Sequence, residues 1–274
     1  MKKIRIIAML FIATLVLVSC QNEDTLDTDT VSKEKYPEIA AKLQKMNFSA
    51  EGLEIVDREL PDGTKQQMFE VEDDILLSKE YIENAKEFTD VKHYRTSGST
   101  VWWSWWLGYR TIRVLGYTGG AFGLSTKGKI GLKLAVNNYN ALNLRLKFVL
   151  SYGTNFGPQD IVVYNSPNMT GLGGYSGFPS NGNPHKWISV WGLNPMSYNF
   201  SELVMSHHIG HTIGMHHTVP SSSSCGEVLP SVGTIHILGT PWGAVPFSVF
   251  NPCYPFNTTG EFVYYDKVAL NYMY

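Results

Sequence analysis

The stretch HHIGHTIGMHH, residues 207–217, places three histidines at the spacing of a metal site. His207 and His211 are four residues apart, so on an α-helix both rings lie on one face and can direct a nitrogen toward the same ion. Gly214 comes three residues after His211 and favours the left-handed backbone conformation that ends a helix. The chain can then turn and bring His217 back as a third ligand. We therefore predict a metal centre formed by His207, His211 and His217.

This motif resembles HExxHxxGxxH, the signature of the metzincin zinc peptidases, and the run HHIGHTIGMHHT is most similar to the dual-action HEIGH metallo-peptidases. The resemblance implies a Zn²⁺ cofactor held by the three histidines, and hydrolysis of peptide bonds in a peptide or protein substrate. In such a site the ion lowers the pKa of a bound water toward about 7. The family has a glutamate as general base at the position where this chain has His208.

His208 has three alternative roles: an inert substitute, a weak general base, or an extra ligand that closes the site. A neutral imidazole can accept a proton but brings no negative charge to the metal. Because general-base help contributes about 10²- to 10⁴-fold in rate, we expect reduced activity in this chain. The alternative function is a catalytically inactive pseudopeptidase that binds peptide or glycan at the cell surface. We interpret His216 and His236 as packed residues near the site.

The segment PFSVFN, residues 246–251, resembles the metzincin Met-turn, whose methionine packs under the zinc histidines. The resemblance places Phe250 in the position of that methionine. Phenylalanine keeps an apolar side chain beneath the histidines, but it is larger and more rigid than methionine. It is therefore expected to displace the histidine ligands.

The N-terminus predicts export. A basic start and an apolar run from Ile6 to Val18 precede Leu17-Val18-Ser19-Cys20, which matches a bacterial lipobox. Residues 1–20 are thus predicted to be a lipoprotein signal peptide, with cleavage before Cys20 and acylation of its thiol; an ordinary secretory signal is the alternative. The expected location is the cell envelope, with the protein attached to a bacterial membrane by this lipid only. Acidic residues after Cys20 resemble the export signals of some surface lipoproteins.

Three further segments follow. Residues 21–36 are polar and predict a disordered tether, residues 37–95 a pro-like segment, and residues 96–274 the metallopeptidase domain. In the pro-like segment, the carboxylates of residues 72–74 either cap the zinc or are solvated surface charges. Cys225 and Cys253 predict a disulfide between loops near the metal, with two free thiols as the alternative.

Composition limits the possible partners and fold. The chain has 274 residues, of which 43% are hydrophobic and 17% charged, and its net charge is −2. No Lys/Arg-rich run is present, so we predict no nucleic-acid partner. The four tryptophans within residues 102–106 form either a sugar- or lipid-binding surface or a packed strand, and the alternation in residues 110–115 favours the strand.

The predicted fold is α+β and metzincin-like: a twisted mixed sheet with helices around the zinc-binding helix. Apolar periodicity predicts helices at 39–43, 126–141 and 264–274, and strands at 67–71, 144–150 and 160–164. Residues 187–191 are expected to form the edge strand beside the cleft, and the glycine-rich residues 171–179 a loop. The metal helix is expected from Phe200 to Ile213, with Ser201 as its N-cap.

Overall fold

The computed structural model describes residues 35–46, 48–85, 101–104, 106–218, 237–241, 245–252, 254 and 259–274. The predictions for the signal peptide, for lipidation of Cys20, for a Cys225–Cys253 bridge and for His236 concern residues outside these ranges. So does most of the predicted tether. Within the described ranges, no helix combines the length and apolar character needed to cross a membrane.

The N-terminal unit is a three-stranded antiparallel sheet with two short helices. Its elements are α1 (Pro37–Met46), β1 (Glu54–Glu59), β2 (Lys65–Val71), β3 (Ile75–Leu77) and α2 (Lys79–Asn84), and the strands lie in the order β1-β2-β3. The predicted helix at 39–43 and strand at 67–71 are confirmed. Ala40 and Leu43 of α1 belong to the same apolar cluster as Val71 and Ile75 of the sheet, because these apolar side chains fall on one face of each element.

The remaining elements form a five-stranded mixed sheet with helices. They are β4 (Arg110–Tyr117), a 3₁₀ turn (Gly120–Phe122), α3 (Thr126–Ala141), β5 (Leu146–Gly153), β6 (Ile161–Asn165), β7 (Gly173–Tyr175), β8 (Trp187–Trp191), α4 (Tyr198–Thr212) and α5 (Tyr264–Met273). The strand order is β5-β4-β6-β8-β7, with β7 antiparallel and the other four strands parallel. The predicted α+β class with a mixed sheet is confirmed, as are the helices at 126–141 and 264–274.

Helices α3 and α4 pack together, and they share one apolar core with the sheet. Gly131 allows their close approach, since a Cβ atom there would lie 2.6 Å from the backbone carbonyl carbon of Ser201. Every residue of α4 from Phe200 to Thr212 is buried. Because a helix buried on all sides must satisfy its polar side chains internally, the histidines of α4 require partners within the protein.

The tryptophan-rich segment is not the packed strand that its composition favoured. Residues 101–104 are irregular, a turn follows, and β4 begins only at Arg110. Trp102 is 67% exposed and Trp106 is 79% exposed, so these rings lie on the surface. The segment is held by hydrogen bonds to a loop, since Trp102 N and Arg110 Nη1 both donate to the carbonyl of Gly182.

Three expectations near the motif are also wrong. β8 is not an edge strand, because β7 pairs with its outer side and takes the edge position. The glycine-rich region is therefore not only loop: three of its residues form β7, and Gly173 lets the ring of Trp191 pack directly against the backbone. Helix α4 begins at Tyr198, four residues before the start at residue 202 that an N-cap at Ser201 implies; the hydroxyl of Ser197 caps it by accepting from Phe200 N.

Candidate metal centre

Three histidine Nε2 atoms converge at the C-terminal end of α4. His207 and His211 lie one turn apart on the helix, and their Nε2 atoms are 2.8 Å from each other. Gly214, at φ +105°, belongs to the turn that ends the helix, in which Gly214 N donates to the His211 carbonyl. Beyond this turn His217 returns, and its Nε2 lies 3.3 Å from that of His207. The structure thus places the three predicted ligands together, with Gly214 at the turn between them.

The opposite ring nitrogen of each histidine is bound to an acceptor. His207 Nδ1 donates to the Val249 carbonyl at 2.7 Å, and His211 Nδ1 donates to the Met215 carbonyl at 2.7 Å. His217 Nδ1 lies 3.2 Å from Oε2 of Glu72 and donates to that carboxylate. Carbonyl and carboxylate oxygens only accept, so each Nδ1 carries a proton. This leaves Nε2 as the atom through which each of the three rings could bind a metal ion.

A carboxylate meets the three histidines where they converge. Oδ2 of Asp74 is 2.8 Å from His207 Nε2, 3.2 Å from His217 Nε2 and 3.6 Å from His211 Nε2. Asp74 lies just before β3, in the N-terminal unit, and is 6% exposed. The interpretation of residues 72–74 as solvated charges is therefore wrong for Asp74 and also for Glu72, which is 7% exposed.

The pKa values at the site reflect burial and strong charge interactions. Burial disfavours ionisation of Asp74, but the charge of His217 and hydrogen bonds from the histidines outweigh it, so the Asp74 pKa is well below 3.8. Burial lowers the pKa of His217, yet Asp74 and Glu72 outweigh it and raise this pKa to about 10. Burial followed by the nearby His207 lowers the pKa of His211 to about 4. The carboxylates of Asp74 and Glu72 therefore stabilise positive charge where the three histidines meet.

The residues present fit a zinc ion. Asp74, His207, His211 and His217 each offer one ligand atom, and these four atoms lie within 4.8 Å of one another. Imidazole nitrogen and carboxylate oxygen are common zinc ligands. Two buried carboxylates, those of Asp74 and Glu72, match the double positive charge of the ion. Oδ1 of Asp74 has no hydrogen-bond partner among the described residues, as expected of a group whose partner is not protein.

His208 lies beside this cluster and contacts other groups. Its Nδ1 is 3.0 Å from the hydroxyl of Ser176, and its Nε2 is 2.9 Å from the hydroxyl of Tyr254. Its ligand atoms are not among the four that converge. The ring is fully buried and packs on Gly174, where a Cβ atom would lie 2.6 Å from His208 Cδ2. Burial, and then the nearby His207, lower the pKa of His208 well below 6.5.

Phe250 lies under α4. Its ring packs on Gly210, where an added Cβ atom would lie 3.0 Å from Phe250 Cζ. The turn that carries Phe250 is held from α5 by Asp266, which accepts from Ser248 Oγ at 2.5 Å and from Val249 N at 3.1 Å. The Val249 carbonyl also accepts from His207 Nδ1. Val249 therefore joins Asp266 to His207, a predicted metal ligand, through two hydrogen bonds.

His216, interpreted as a packed residue, lies in an aromatic environment. Its ring stacks on Phe178 at a centroid distance of 5.5 Å and contacts Phe48 at 5.2 Å. Its Nε2 is 3.6 Å from Oε2 of Glu72. This Nε2 has no hydrogen-bond partner within the described part of the chain, whereas Nδ1 accepts from His217 N at 2.9 Å.

Sequence reasoning missed several residues of the site. It did not identify Ser176, Tyr254 and Asp266, and for Glu72 and Asp74 it left two alternatives open, a cap on the zinc and solvated surface charge. All five lie far along the chain from the histidines that they serve, and no spacing rule connects them. The one available signal was the loss of the motif glutamate, because a metal centre without that carboxylate requires negative charge from elsewhere.

Comparison with known proteins identifies the family. The model of the dual-action HEIGH metallo-peptidases matches residues 70–274. A solved structure of myroilysin is similar at 13% identity and a TM-score of 0.39, covering 60% of this chain and 80% of that chain. Another myroilysin structure is similar at 20% identity and a TM-score of 0.31, covering 44% and 48% respectively. No curated protein matches. Since the family match spans well over half of the chain and contains the histidine site, this protein belongs to the dual-action HEIGH metallo-peptidase family.

Proposed function

We propose that this metallopeptidase binds Zn²⁺ through His207, His211 and His217 and hydrolyses peptide bonds at a reduced rate. When bound, the ion would polarise the scissile carbonyl and activate water for attack on it. The residues of this chain supply the ligand set, the two carboxylates that offset the charge of the ion, and the buried surroundings.

The observation that carries the reduced rate is the position of His208. A neutral imidazole has one N–H donor and one acceptor nitrogen. With Ser176 and Tyr254 at its two nitrogens, one hydroxyl donates to that acceptor, so the lone pair is already used. The ring would have to break this hydrogen bond before it could take a proton from water. His208 is therefore a poor substitute for the family glutamate as a general base.

Asp74 restricts the site further. Its carboxylate occupies the position at which the three Nε2 atoms converge, and the three histidine ligands are fully buried. Catalytic zinc sites keep one position open, whereas structural sites are closed by four protein ligands. The proposed role of the pro-like segment is thus to cap the metal through Asp74, and hydrolysis would require this carboxylate to move away.

The same closure favours a second function, a pseudopeptidase. A site with three histidines and one aspartate needs no open position if it only maintains the fold. Binding of peptide or glycan would then be the activity, and the exposed ring of Trp102 offers an apolar surface for a sugar. The two functions differ in whether a carboxylate at position 208 increases hydrolysis.

The proposal includes export and attachment to the bacterial cell envelope through Cys20, and it rests on the signal sequence and the lipobox. Labelling of the expressed protein with a radioactive fatty acid tests this part. Label incorporated by the natural chain and absent from Cys20→Ala supports the lipid anchor. Equal labelling of the two chains, or none, contradicts it.

The decisive experiment replaces His208 by glutamate. Zinc content and hydrolysis of a mixed peptide library are measured for the natural chain, for His208→Glu and for His208→Gln. Glutamine matches glutamate in size but cannot act as a base. Since general-base catalysis contributes about 10²- to 10⁴-fold, we expect His208→Glu to gain at least about 10²-fold and His208→Gln to gain nothing.

Each variant is also made with Asp74→Ala, so that a closed site does not hide a restored base. If His208→Glu binds zinc normally yet hydrolyses no faster in either background, the proposal of a reduced peptidase is wrong. That result would leave the pseudopeptidase function. If the natural chain binds no zinc, both the catalytic and the structural role proposed for the metal centre are wrong.

A further inference from the structure

The turn between β2 and β3 directs two carboxylates at the histidines. Glu72 and Asp73 have φ values of 52° and 64°, in the left-handed region that residues other than glycine rarely adopt. This conformation places Asp74 at the three Nε2 atoms and Glu72 on the far side of the His217 ring. Two consecutive residues in a costly conformation persist only where surrounding contacts hold them, as these contacts do.

Glu72 accepts a hydrogen bond from Nδ1 of His217, as backbone carbonyls do for the other two predicted ligands. The carbonyls of Val249 and Met215, which bind His207 and His211, lie close to the motif in space and belong to the peptidase core. His217 instead has a side-chain acceptor, which lies 145 residues away in the sequence. Glu72 is itself anchored by Ser49 N, which donates to its Oε1 at 3.4 Å.

We infer that Glu72 is a positioning residue of the metal centre, which holds His217 with Nε2 directed at the metal. The β2–β3 turn is then part of the metal-binding unit as well as a cap. This inference rests on the zinc site of the proposed function. If Glu72 holds His217, the site can open only when Asp74 moves away while Glu72 stays in place. Excision of the whole N-terminal unit would therefore weaken metal binding.

Packing around the turn supports this inference. Phe178, from the segment after β7, belongs to the core of the N-terminal unit and also contacts the rings of His211 and His216. Leu76 N donates to the Ser176 carbonyl at 2.7 Å, and Ser176 N donates to the Asp74 carbonyl at 3.1 Å. The N-terminal sheet is therefore hydrogen-bonded to the residue that holds His208. Its apolar core extends to the metal ligands.

The test measures zinc affinity of the full chain by competition with a chromophoric chelator. Glu72→Ala removes the acceptor of His217, while Glu72→Gln keeps an amide oxygen that can accept from Nδ1. Glu70→Ala is the matched control, because Glu70 is the same residue type, lies two positions earlier at the end of β2, and interacts with Tyr175. The visible spectrum of the Co²⁺-loaded protein reports the ligand geometry independently of any hydrolysis.

Loss of an outer-shell partner typically weakens metal binding about 10- to 100-fold. We expect that loss and an altered Co²⁺ spectrum for Glu72→Ala, substantial recovery for Glu72→Gln, and the natural affinity for Glu70→Ala. Natural affinity and spectrum in Glu72→Ala would overturn the inference, as would equal losses in Glu72→Ala and Glu70→Ala. The proposed peptidase function fails separately, either when the natural chain binds no zinc or when a glutamate at position 208 gives no gain.

Discussion

Asp266 offers a quantitative test of the support beneath the metal centre. It is 2% exposed, and it accepts from the Ser248 hydroxyl and from the backbone N–H groups of Val249 and Val263. Burial is the largest influence and outweighs these hydrogen bonds, so the pKa of Asp266 rises from 3.8 to about 6. The carboxyl group therefore holds its proton more tightly in the folded chain than in the unfolded chain.

The sign of the pH dependence follows from this difference. Between about pH 4 and 6 the folded state binds more protons at Asp266 than the unfolded state, so stability falls as the pH rises. The contribution is fully present below 3.8 and is lost as the pH passes through about 6. At about 1.36 kcal/mol for each pH unit, this amounts to about 3 kcal/mol.

The perturbation is Asp266→Asn, which cannot titrate. Urea unfolding of both proteins is measured from pH 4 to pH 7, with a chelator present so that metal binding does not contribute. Other titrating groups are common to both chains and cancel in the difference. We expect the free energy of unfolding of the natural chain, relative to the variant, to fall by about 2 kcal/mol over this range, because part of the full contribution is already lost at pH 4. Parallel pH curves for the two proteins would refute the reasoning.

Two glycines at helix contacts give further predictions. A Cβ atom on Gly131 would lie 2.6 Å from the Ser201 carbonyl carbon, so we expect Gly131→Ala to lower the free energy of unfolding by about 1–3 kcal/mol in urea. Gly128→Ala is the control: its Cβ meets only ordinary contacts, and equal losses would contradict the packing argument. Gly210→Ala pushes into the ring of Phe250, so we expect weaker zinc binding in a chelator titration, partly recovered by adding Phe250→Met. Unchanged zinc affinity in Gly210→Ala would show that Phe250 does not support the ligands.

Much of the secondary structure could be predicted because its signals are local. The helix at 126–141 has an apolar stripe, and Ser125 caps it by accepting from Gly128 N. β7 was missed because a three-residue strand with two glycines has no alternation to detect. For the tryptophan-rich segment, the favoured alternative of a packed strand is wrong, because apolar composition and the alternation that follows it do not show what the rings contact. Its exposed rings depend on a loop 80 residues further along the chain, at Gly182.

Local sequence was sufficient to identify His207, His211, Gly214 and His217 as a group. Helical spacing and the conformational freedom of glycine act over about ten residues, and a pattern within that length is visible without any fold. The same pattern shows that the family glutamate is absent at position 208.

Tertiary contacts were needed to show which carboxylates and hydroxyls surround the histidines. Asp74 and Glu72 contact histidines that lie 133 and 145 residues away in the sequence. The two hydroxyls that contact His208, those of Ser176 and Tyr254, lie 32 and 46 residues from it. In sequence, residues 72–74 are compatible with a zinc cap and with solvated surface charge, because nothing near them predicts which of them are buried. The burial of Glu72 and Asp74, their lowered pKa values and their contacts with the predicted metal ligands arise only when the β2–β3 turn meets the histidines. Contacts between residues so far apart in the sequence depend on how the whole apolar core packs, so no short stretch of sequence predicts them.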